Sequence, residues 1–380
     1  MADLAPPEQE EEEKEQLQNT PRAESPTAVI GSHNVARLLK DTDDDSNTEA
    51  EEITSYYHRA SGAQTIFRHP RNDDDTINST RSLYASEVVY IMIHGRRYCK
   101  DYFMPNDIKE QERLLMLNHV FLHVFDGRNT TVPLNDRMKI LDVGCGTGEW
   151  AMAIAEEYPN SEVIGTDIAP IQSSAAPLNA FFELDDAEAD GGWTYSDDDF
   201  DLVHFRYMKG AFLSWKDVYL QAYRVLKPGA YIEVVDFDDH KRIGRFFGPD
   251  SGVPRWLEAL EKGTEKSGRS RGITHLEPEC LTALGFVDVE NHVYTIPIGL
   301  RPDDPKAQAI GIQFLSNILK GMEGICLRIL TEQMGWSYSE IHAVLDEIGR
   351  ATWEIATDAE AAGRIGFELE VKVTTGRKPG

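Results

Sequence analysis

The sequence predicts an α/β fold with a mostly parallel sheet, and three neighbouring patterns lead to this prediction. Residues 138–143 form a short apolar run that is typical of a buried strand. Three glycines then follow at alternate positions, Gly144, Gly146 and Gly148. An Ala-rich helical pattern covers residues 149–158. Strand, glycine turn and helix in this order build a ligand site at the carboxyl end of the first strand of such a sheet.

Further strands and helices continue the alternation. Apolar runs predict strands at Glu162–Asp167, Asn179–Leu184, Phe200–Arg206 and Tyr231–Phe237. Trp215–Leu226 has helical periodicity, and the Lys-Pro-Gly-Ala sequence at 227–230 ends that helix. Apolar strands joined by helical crossovers imply a mostly parallel sheet that is covered on both faces.

Elements on either side of this core complete the predicted domain. Helix Ile108–Phe125 carries apolar side chains at steps of three and four residues, and Asn106 or Asp107 caps its start. A later strand is predicted at Gly285–Tyr294, and the strictly alternating Gly366–Thr374 is the predicted last, antiparallel strand. The predicted domain at 81–380 consists of a helical cap at 86–126, a core at 137–296 and 364–376, and a helical insert at 303–362.

Residues 1–80 are predicted to form a disordered acidic tail. They contain 18 acidic and 7 basic residues and few aromatic ones. Such a composition offers little apolar surface to offset the entropy lost on ordering. A solvated tail that aids solubility and an arm that binds a partner are both compatible with this composition.

The overall composition excludes some classes of partner. The chain has 380 residues, of which 41% are apolar, and its net charge is −27. Binding to a phosphate backbone requires a face of lysine and arginine, so we expect no direct contact with nucleic acid. The sequence has no apolar run of the length that spans a membrane, so no membrane association is expected.

The cysteines indicate the compartment. Cys99, Cys145, Cys280 and Cys326 are far apart and form no C-x-x-C motif. This spacing favours a reducing environment and no structural zinc, and no H-E-x-x-H or Cys/His cluster predicts another metal. The first residues lack a secretory signal. We therefore expect a soluble intracellular protein of the cytoplasm or nucleus that is not secreted.

The glycine spacing and two aspartates indicate the kind of ligand. The G-x-G-x-G pattern differs from the G-x-G-x-x-G of dinucleotide folds and from a P-loop. Asp142 precedes Gly144 by two residues, which suits a ligand with an ammonium group better than a pyrophosphate. Asp167 ends the second core strand, where an acid commonly binds the ribose hydroxyls of an adenosine cofactor. A plain tight turn and a helix-capping role for Asp167 are the alternatives.

Several stretches together resemble a known family. The D-x-G-x-G-x-G pattern beginning at Asp142 resembles motif I of the class I S-adenosylmethionine-dependent methyltransferases, and the Leu-Lys-Pro-Gly turn at 226–229 is typical of them. Tyr-Phe-Met-Pro-Asn-Asp at 102–107, Gly-Thr-Asp-Ile-Ala-Pro-Ile-Gln at 165–172 and Gly-Arg-Lys-Pro at 376–379 resemble the LaeA-like methyltransferases of filamentous fungi. The resemblance implies a Rossmann-like class I methyltransferase sheet and the cofactor S-adenosyl-L-methionine.

The resemblance also implies a set of cofactor-binding residues. Asp186 and the backbone of Ala187 are expected to face the adenine amino group. Ordinary packing and cofactor contact are both open for Tyr98. The full predicted set is Asp142, Gly144, Cys145, Gly146, Gly148, Asp167, Ile168, Asp186, Ala187, Phe205, Arg206 and Tyr98.

Two histidines are candidates for a general base, which an oxygen or amine nucleophile requires when it carries a proton. His204 lies near the end of the fourth core strand, and His240 follows the fifth. His204 alternates with Val203, so a core histidine is the alternative there. For His240 the alternative is a loop histidine without a chemical role.

The resemblance covers two kinds of function. We expect a methyltransferase of fungal secondary metabolism that methylates an oxygen or nitrogen of a small-molecule acceptor. The alternative is a LaeA-type regulator of secondary metabolism that acts through velvet-type protein partners or through protein methylation.

Overall fold

The computed structural model describes residues 88–238, 244–300, 304–358, 360 and 366–380. These residues lie in a compact unit, Gly62–Gly380. The predicted tail at 1–80 and His240 fall outside the described residues. Among the helices that the structure describes, none is long and apolar enough to cross a membrane.

A seven-stranded sheet forms the centre of the fold. Its strands are β3 Lys139–Val143, β4 Glu162–Asp167, β5 Ala180–Leu184, β6 Phe200–Arg206, β7 Leu226–Phe237, β8 Val287–Pro297 and β9 Glu368–Arg377. Their spatial order is β5-β4-β3-β6-β7-β9-β8. The strands from β5 to β7 are parallel to one another, and β9 runs antiparallel to both of its neighbours. The predicted mostly parallel sheet with an antiparallel last strand is therefore confirmed.

Helices pack against this sheet in several hydrophobic cores. They are α1 Ile108–Val124, α2 Glu149–Glu157, α3 Trp215–Val225, α4 Gly252–Ser267, α5 Pro278–Thr282, α6 Pro305–Met334 and α7 Tyr338–Thr357. Asp107 caps α1, because its side chain accepts a hydrogen bond from the Glu110 amide at 3.0 Å. Ser337 and Glu340 form a capping box at the start of α7, which separates the predicted helical insert into two helices.

The segment before α1 is a β-hairpin rather than a helix. It consists of β1 Tyr90–Ile93 and β2 Arg96–Cys99, which pair antiparallel. His94 and Gly95 join them, both with positive φ, as a two-residue hairpin turn requires. The region predicted as a helical cap thus contains a hairpin and one helix.

Alternate side chains of β3 enter two separate cores. Leu141 and Val143 pack in a core with residues of α3, whereas Ile140 packs in another with residues of α2. Strand β3 lies between β4 and β6, so the chain order reverses at its carboxyl end. An open α/β sheet forms its ligand crevice at such a point.

Candidate functional site

A cavity lies at the carboxyl ends of β3, β4 and β6, and residues of α1 form one of its walls. Most residues predicted to bind the cofactor line it. They are Asp142, Gly144, Cys145, Gly146, Asp167, Ile168, Asp186, Ala187 and Arg206. Three predicted residues, Gly148, Phe205 and Tyr98, do not line it.

The glycine loop takes its shape from hydrogen bonds to the neighbouring strand. The amides of Gly144 and Cys145 donate to the Thr166 carbonyl at 2.8 and 2.9 Å. Gly146 has a φ of +57°, and a Cβ on it would lie 3.6 Å from Leu114 Cδ1 on the opposite wall. Gly148 has a different role, because a Cβ there would approach Phe182 Cζ to 2.5 Å. Gly148 therefore permits packing between α2 and β5.

A buried histidine, His204, contacts the Asp142 carboxylate. His204 Nδ1 lies 2.8 Å from Asp142 Oδ1, and the His204 ring stacks on Trp150 with centroids 3.6 Å apart. His204 is fully buried and does not line the cavity. Its second ring nitrogen, Nε2, lies 3.8 Å from Glu233 Oε2 and not at the cavity. The geometry therefore makes His204 a residue that positions Asp142, and not a base that reaches the acceptor.

Tyr98 and Phe205 are core residues in this structure. Tyr98 is fully buried, and the Arg328 guanidinium lies 5.5 Å above its ring. Phe205 is also fully buried and packs edge-on against Trp215. Arg206, one residue later on β6, lines the cavity and donates to Asn118 Oδ1 at 2.7 Å. Burial lowers the Arg206 pKa to about 10.

Comparison with known proteins decides the family. A family model described as a methyltransferase domain matches residues 116–270. The methyltransferase pytC of Aspergillus terreus is 35% identical over 280 residues, which cover 72% of this chain and 85% of the relative. The secondary metabolism regulator LAE1 of Cochliobolus heterostrophus is 32% identical over 241 residues, covering 62% and 78%. The chain belongs to the LaeA-like class I methyltransferases.

A third relative extends the match along the chain. The secondary metabolism regulator laeA of Aspergillus fumigatus is 28% identical over 317 residues, which cover 80% of this methyltransferase and 83% of the relative. Membership of the class I methyltransferases identifies the cofactor as S-adenosyl-L-methionine. Its sulfonium carries the methyl group that a nucleophile attacks.

The charges in the cavity of this methyltransferase fit that cofactor. Eight acidic side chains line it against three basic ones among the described residues. The cofactor has a sulfonium, an ammonium and a carboxylate, so it carries a net positive charge that this excess of acids favours. The acids are Asp101, Glu110, Asp142, Glu149, Asp167, Asp185, Asp186 and Glu188, and the bases are Lys100, Arg206 and Arg269.

Salt bridges close the rim of the methyltransferase cavity. Lys100, which follows β2, pairs with Asp186 at 2.8 Å. Arg269 pairs with Glu188 at 3.0 Å and with Asp101 at 3.1 Å. The carboxylate predicted to face adenine is therefore held by a lysine from the segment before α1.

Asp167 organises the loop as well as facing the cavity. Its two carboxylate oxygens accept hydrogen bonds from the amides of Gly146 and Ala169, both at 2.9 Å. Burial raises the pKa of Asp167 to about 6 in the free methyltransferase. An ionised carboxylate keeps further lone pairs, which two ribose hydroxyls can use.

We expect Asp167→Asn to weaken binding of S-adenosylhomocysteine about tenfold or more, since one charge-assisted hydrogen bond contributes roughly 1.5–3 kcal/mol. Wild-type affinity should also fall as the pH drops below about 6, because Asp167 then carries a proton that must be released before its carboxylate accepts from both hydroxyls. The pKa of Asp185, on the same cavity, is also raised to about 6, so the variant isolates the part due to Asp167. Calorimetry across this range checks both effects, and equal affinities with equal pH profiles would contradict the ribose contact.

A second cavity adjoins the first. The two share Tyr102, Met104 and Tyr207 in their walls. Tyr207 follows β6 and has a φ of +61°, an uncommon conformation for a residue with a side chain, and such residues cluster at functional sites. The second cavity lies beside the end of β7 and between α4, α6 and α7, and its wall is largely apolar.

Sequence reasoning missed Tyr207 at this junction and Arg271 in the wall of the second cavity. Tyr207 directly follows the fourth core strand, a position at which functional side chains of α/β folds collect, and this signal was available. Arg271 lines the second cavity, but no sequence signal indicated this. The residue belongs to a loop after α4 that contains no recognisable motif.

Proposed function

We propose that this methyltransferase transfers the methyl group to an oxygen or nitrogen of a small, largely apolar molecule in fungal secondary metabolism. The observation that carries the proposal is the second cavity and its junction with the cofactor cavity at Tyr102, Met104 and Tyr207. Concave, mostly apolar cavities with a few polar groups are typical small-molecule sites.

The wall of the second cavity favours an acceptor with an apolar body. Aromatic and aliphatic side chains from several elements supply most of its surface, which disfavours an extended polar peptide. These side chains are Phe103, Phe237, Val253, Trp256, Leu260, Ile298, Phe314, Ile318, Met322, Ile325, Ile348, Phe367 and Leu369. Methyl transfer is an in-line displacement, so a wall that fixes the acceptor against the methyl group provides most of the catalysis.

The relatives support the same assignment. The methyltransferase pytC is the more similar of the two relatives above 30% identity described here, and its name denotes an enzyme. Four free cysteines are present among the described residues, two of them buried, which supports a reducing compartment inside the cell.

The test is to incubate the purified protein with methyl-labelled cofactor and an extract of a fungal culture. Label that enters the solvent-extractable small molecules supports the proposal. A Gly146→Val protein in the same extract is the control, because its cofactor cavity is obstructed. Label that enters only the protein fraction, or no label at all, would contradict a small-molecule acceptor.

A regulator of the LaeA type is the second candidate function. Relatives with 32% and 28% identity are named secondary metabolism regulators, and a further relative with 27% identity is named a protein-methionine methyltransferase. A protein acceptor, or velvet-type partners, would follow from that assignment. The labelling experiment separates the two, since a protein acceptor appears as a labelled band that the Gly146→Val control lacks.

A further inference from the structure

One arginine of the second cavity is buried without a partner for its charge. Arg271 is 9% exposed, and its Nε has no hydrogen-bond partner. No other described residue forms an ion pair with it. Burial lowers its pKa, as expected for a cation without a close counter-charge. A buried, unpaired charge is costly, so a protein that keeps one has a use for it.

Two other arginines near this cavity have polar partners within the protein. Arg269 lies two residues before Arg271 and binds Asp101 and Glu188. Arg113 on α1 donates to Glu110 and to Asn317. Of the two arginines in one short loop, Arg269 forms salt bridges with acids of the protein, whereas Arg271 lines the second cavity.

Lys209 and Asp238, two other charged groups of the second cavity, contact other groups of the protein. Lys209 Nζ donates to the carbonyls of Phe237 and Asp238 at 3.3 and 2.9 Å, and Asp238 lies 3.7 Å from Lys372. Asp236 acts electrostatically on Arg271 without forming an ion pair with it, and Asp236 Oδ2 lies 3.6 Å from His275 Nε2. Arg271 is therefore the donor that remains for a ligand.

The position of the Arg271 guanidinium is fixed before any ligand binds. Its carbon Cζ lies 4.9 Å from the centre of the Phe103 ring, a cation–π contact. The aliphatic part of Arg271 packs on Gly210, where a Cβ would come within 2.9 Å of its Cγ. A fixed guanidinium loses little freedom when it binds a planar anion, which suits it to carboxylate recognition.

We propose that Arg271 binds an anionic oxygen of the acceptor, either a carboxylate or an acidic hydroxyl, and that this oxygen receives the methyl group. The inference rests on the proposed small-molecule function and narrows its substrate class to apolar acids. The guanidinium in a largely apolar wall is the feature that selects such a molecule.

The chemistry at the junction agrees with an acceptor that is already ionised. The shared residues are two tyrosines and a methionine, and burial raises the pKa of Tyr102, so its hydroxyl stays protonated and acts as a donor. An oxyanion needs no base. Its lone pair forms the new O–C bond while the S–C bond of the sulfonium breaks, which leaves a neutral methyl ester or ether and a neutral thioether.

The binding test uses two probes with the same ring skeleton, the anion anilinonaphthalene sulfonate and its uncharged parent phenylnaphthylamine. Saturating S-adenosylhomocysteine fills the first cavity in each titration. We expect wild type to bind the anion at least tenfold more tightly than the neutral probe, and Arg271→Met to abolish this difference. Arg271→Lys should retain part of it. Equal binding of both probes by wild type, no binding of either, or an unchanged preference in Arg271→Met would overturn the inference.

Thermal unfolding without ligand separates a ligand-binding arginine from a structural one. Arg271→Met should leave the midpoint unchanged or raise it, because the substitution removes an unpaired buried charge and conserves most of the volume. Arg113→Met, the matched control, should lower the midpoint by roughly 5 °C or more, because it leaves Glu110 buried without its partner. A drop of that size for Arg271→Met would make the arginine structural and overturn the inference.

Turnover distinguishes this inference from the function on which it rests. In the labelling experiment, Arg271→Met should lose the labelled small molecule while its affinity for S-adenosylhomocysteine stays at the wild-type value. A wild-type protein that labels no small molecule contradicts the proposed function, whatever the probes show. A labelled neutral alcohol or amine whose yield is the same with Arg271→Met contradicts only the role of Arg271.

Discussion

Gly146→Val should abolish measurable binding of S-adenosylhomocysteine while the protein stays folded. Gly146 and Leu114 face each other across the cofactor cavity, and even a single Cβ on Gly146 would lie 3.6 Å from Leu114 Cδ1. The two methyl groups of valine would occupy space that the cofactor needs. The φ of +57° adds a backbone cost of about 1–2 kcal/mol for any residue with a side chain. The loss of this space should lower affinity by about 100-fold or more, which calorimetry measures, while the backbone cost should lower the free energy of unfolding.

Gly127→Val is the matched control for backbone strain. Gly127 has a φ of +80° just beyond α1, does not line the cavity, and a Cβ there meets no atom within 4 Å. This variant should lose a similar free energy of unfolding to Gly146→Val and keep wild-type affinity for the cofactor product. If both variants lost affinity equally, the glycine loop would act through stability alone, and its assignment as the cofactor loop would be wrong.

Arg113→Met should destabilise the protein by about 3–5 kcal/mol, the effect of leaving a buried charge without its partner. Arg113 Nε lies 3.0 Å from both Glu110 oxygens, and Arg113 Nη2 lies 2.6 Å from Glu110 Oε1. Arg113 Nη1 donates to Asn317 on α6 at 3.0 Å, and Asn317 Nδ2 returns a bond to the Arg113 carbonyl at 2.8 Å. These bonds join α1, which lines the cofactor cavity, to α6, which lines the second cavity, so the variant should weaken the packing around both.

The double variant Arg113→Met with Glu110→Gln tests whether the charge of Glu110 causes that loss. Glu110 is 2% exposed, so removing its charge along with that of Arg113 should restore much of the stability. Denaturant unfolding of wild type, the two single variants and the double variant gives the coupling energy directly. Additive losses in the double variant would mean that the pair contributes packing rather than a paired charge.

The sequence by itself determined the parallel sheet, the glycine loop and the cofactor. These features depend on short patterns that a single segment contains. The apolar run of β3, the glycines at 144, 146 and 148, and the helical pattern of α2 are contiguous, so they predict a strand, turn and helix without any distant partner. The cap of α1 is equally local, and Asp107 bonds an amide three residues away. The predicted mostly parallel sheet needed only apolar strands joined by helical crossovers.

The tertiary structure alone decided which side chains reach the cavities. The register of β3 against β6 places His204 beside Asp142 and beneath Trp150, and this register is set by strand pairing across 62 residues. Two roles were open for Tyr98 from its sequence position, contact with the cofactor and packing in the core. In the structure Tyr98 is fully buried, and its ring lies below the Arg328 guanidinium. A one-residue change in strand position exchanges the inward and outward faces, so sequence patterns cannot fix such contacts.

The pairing of charges also depends on the tertiary structure. In the sequence Arg269 and Arg271 are equivalent members of one short loop. In the fold Arg269 reaches acids from two distant segments, whereas Arg271 reaches the second cavity and no acid pairs with it there. The energy of a charge depends on burial and on the distance to its counter-charge, and both are set by segments that are remote in sequence. For this reason the sequence determined the cofactor, whereas only the packing of α4, α6 and α7 formed the second cavity and placed Arg271 in its wall.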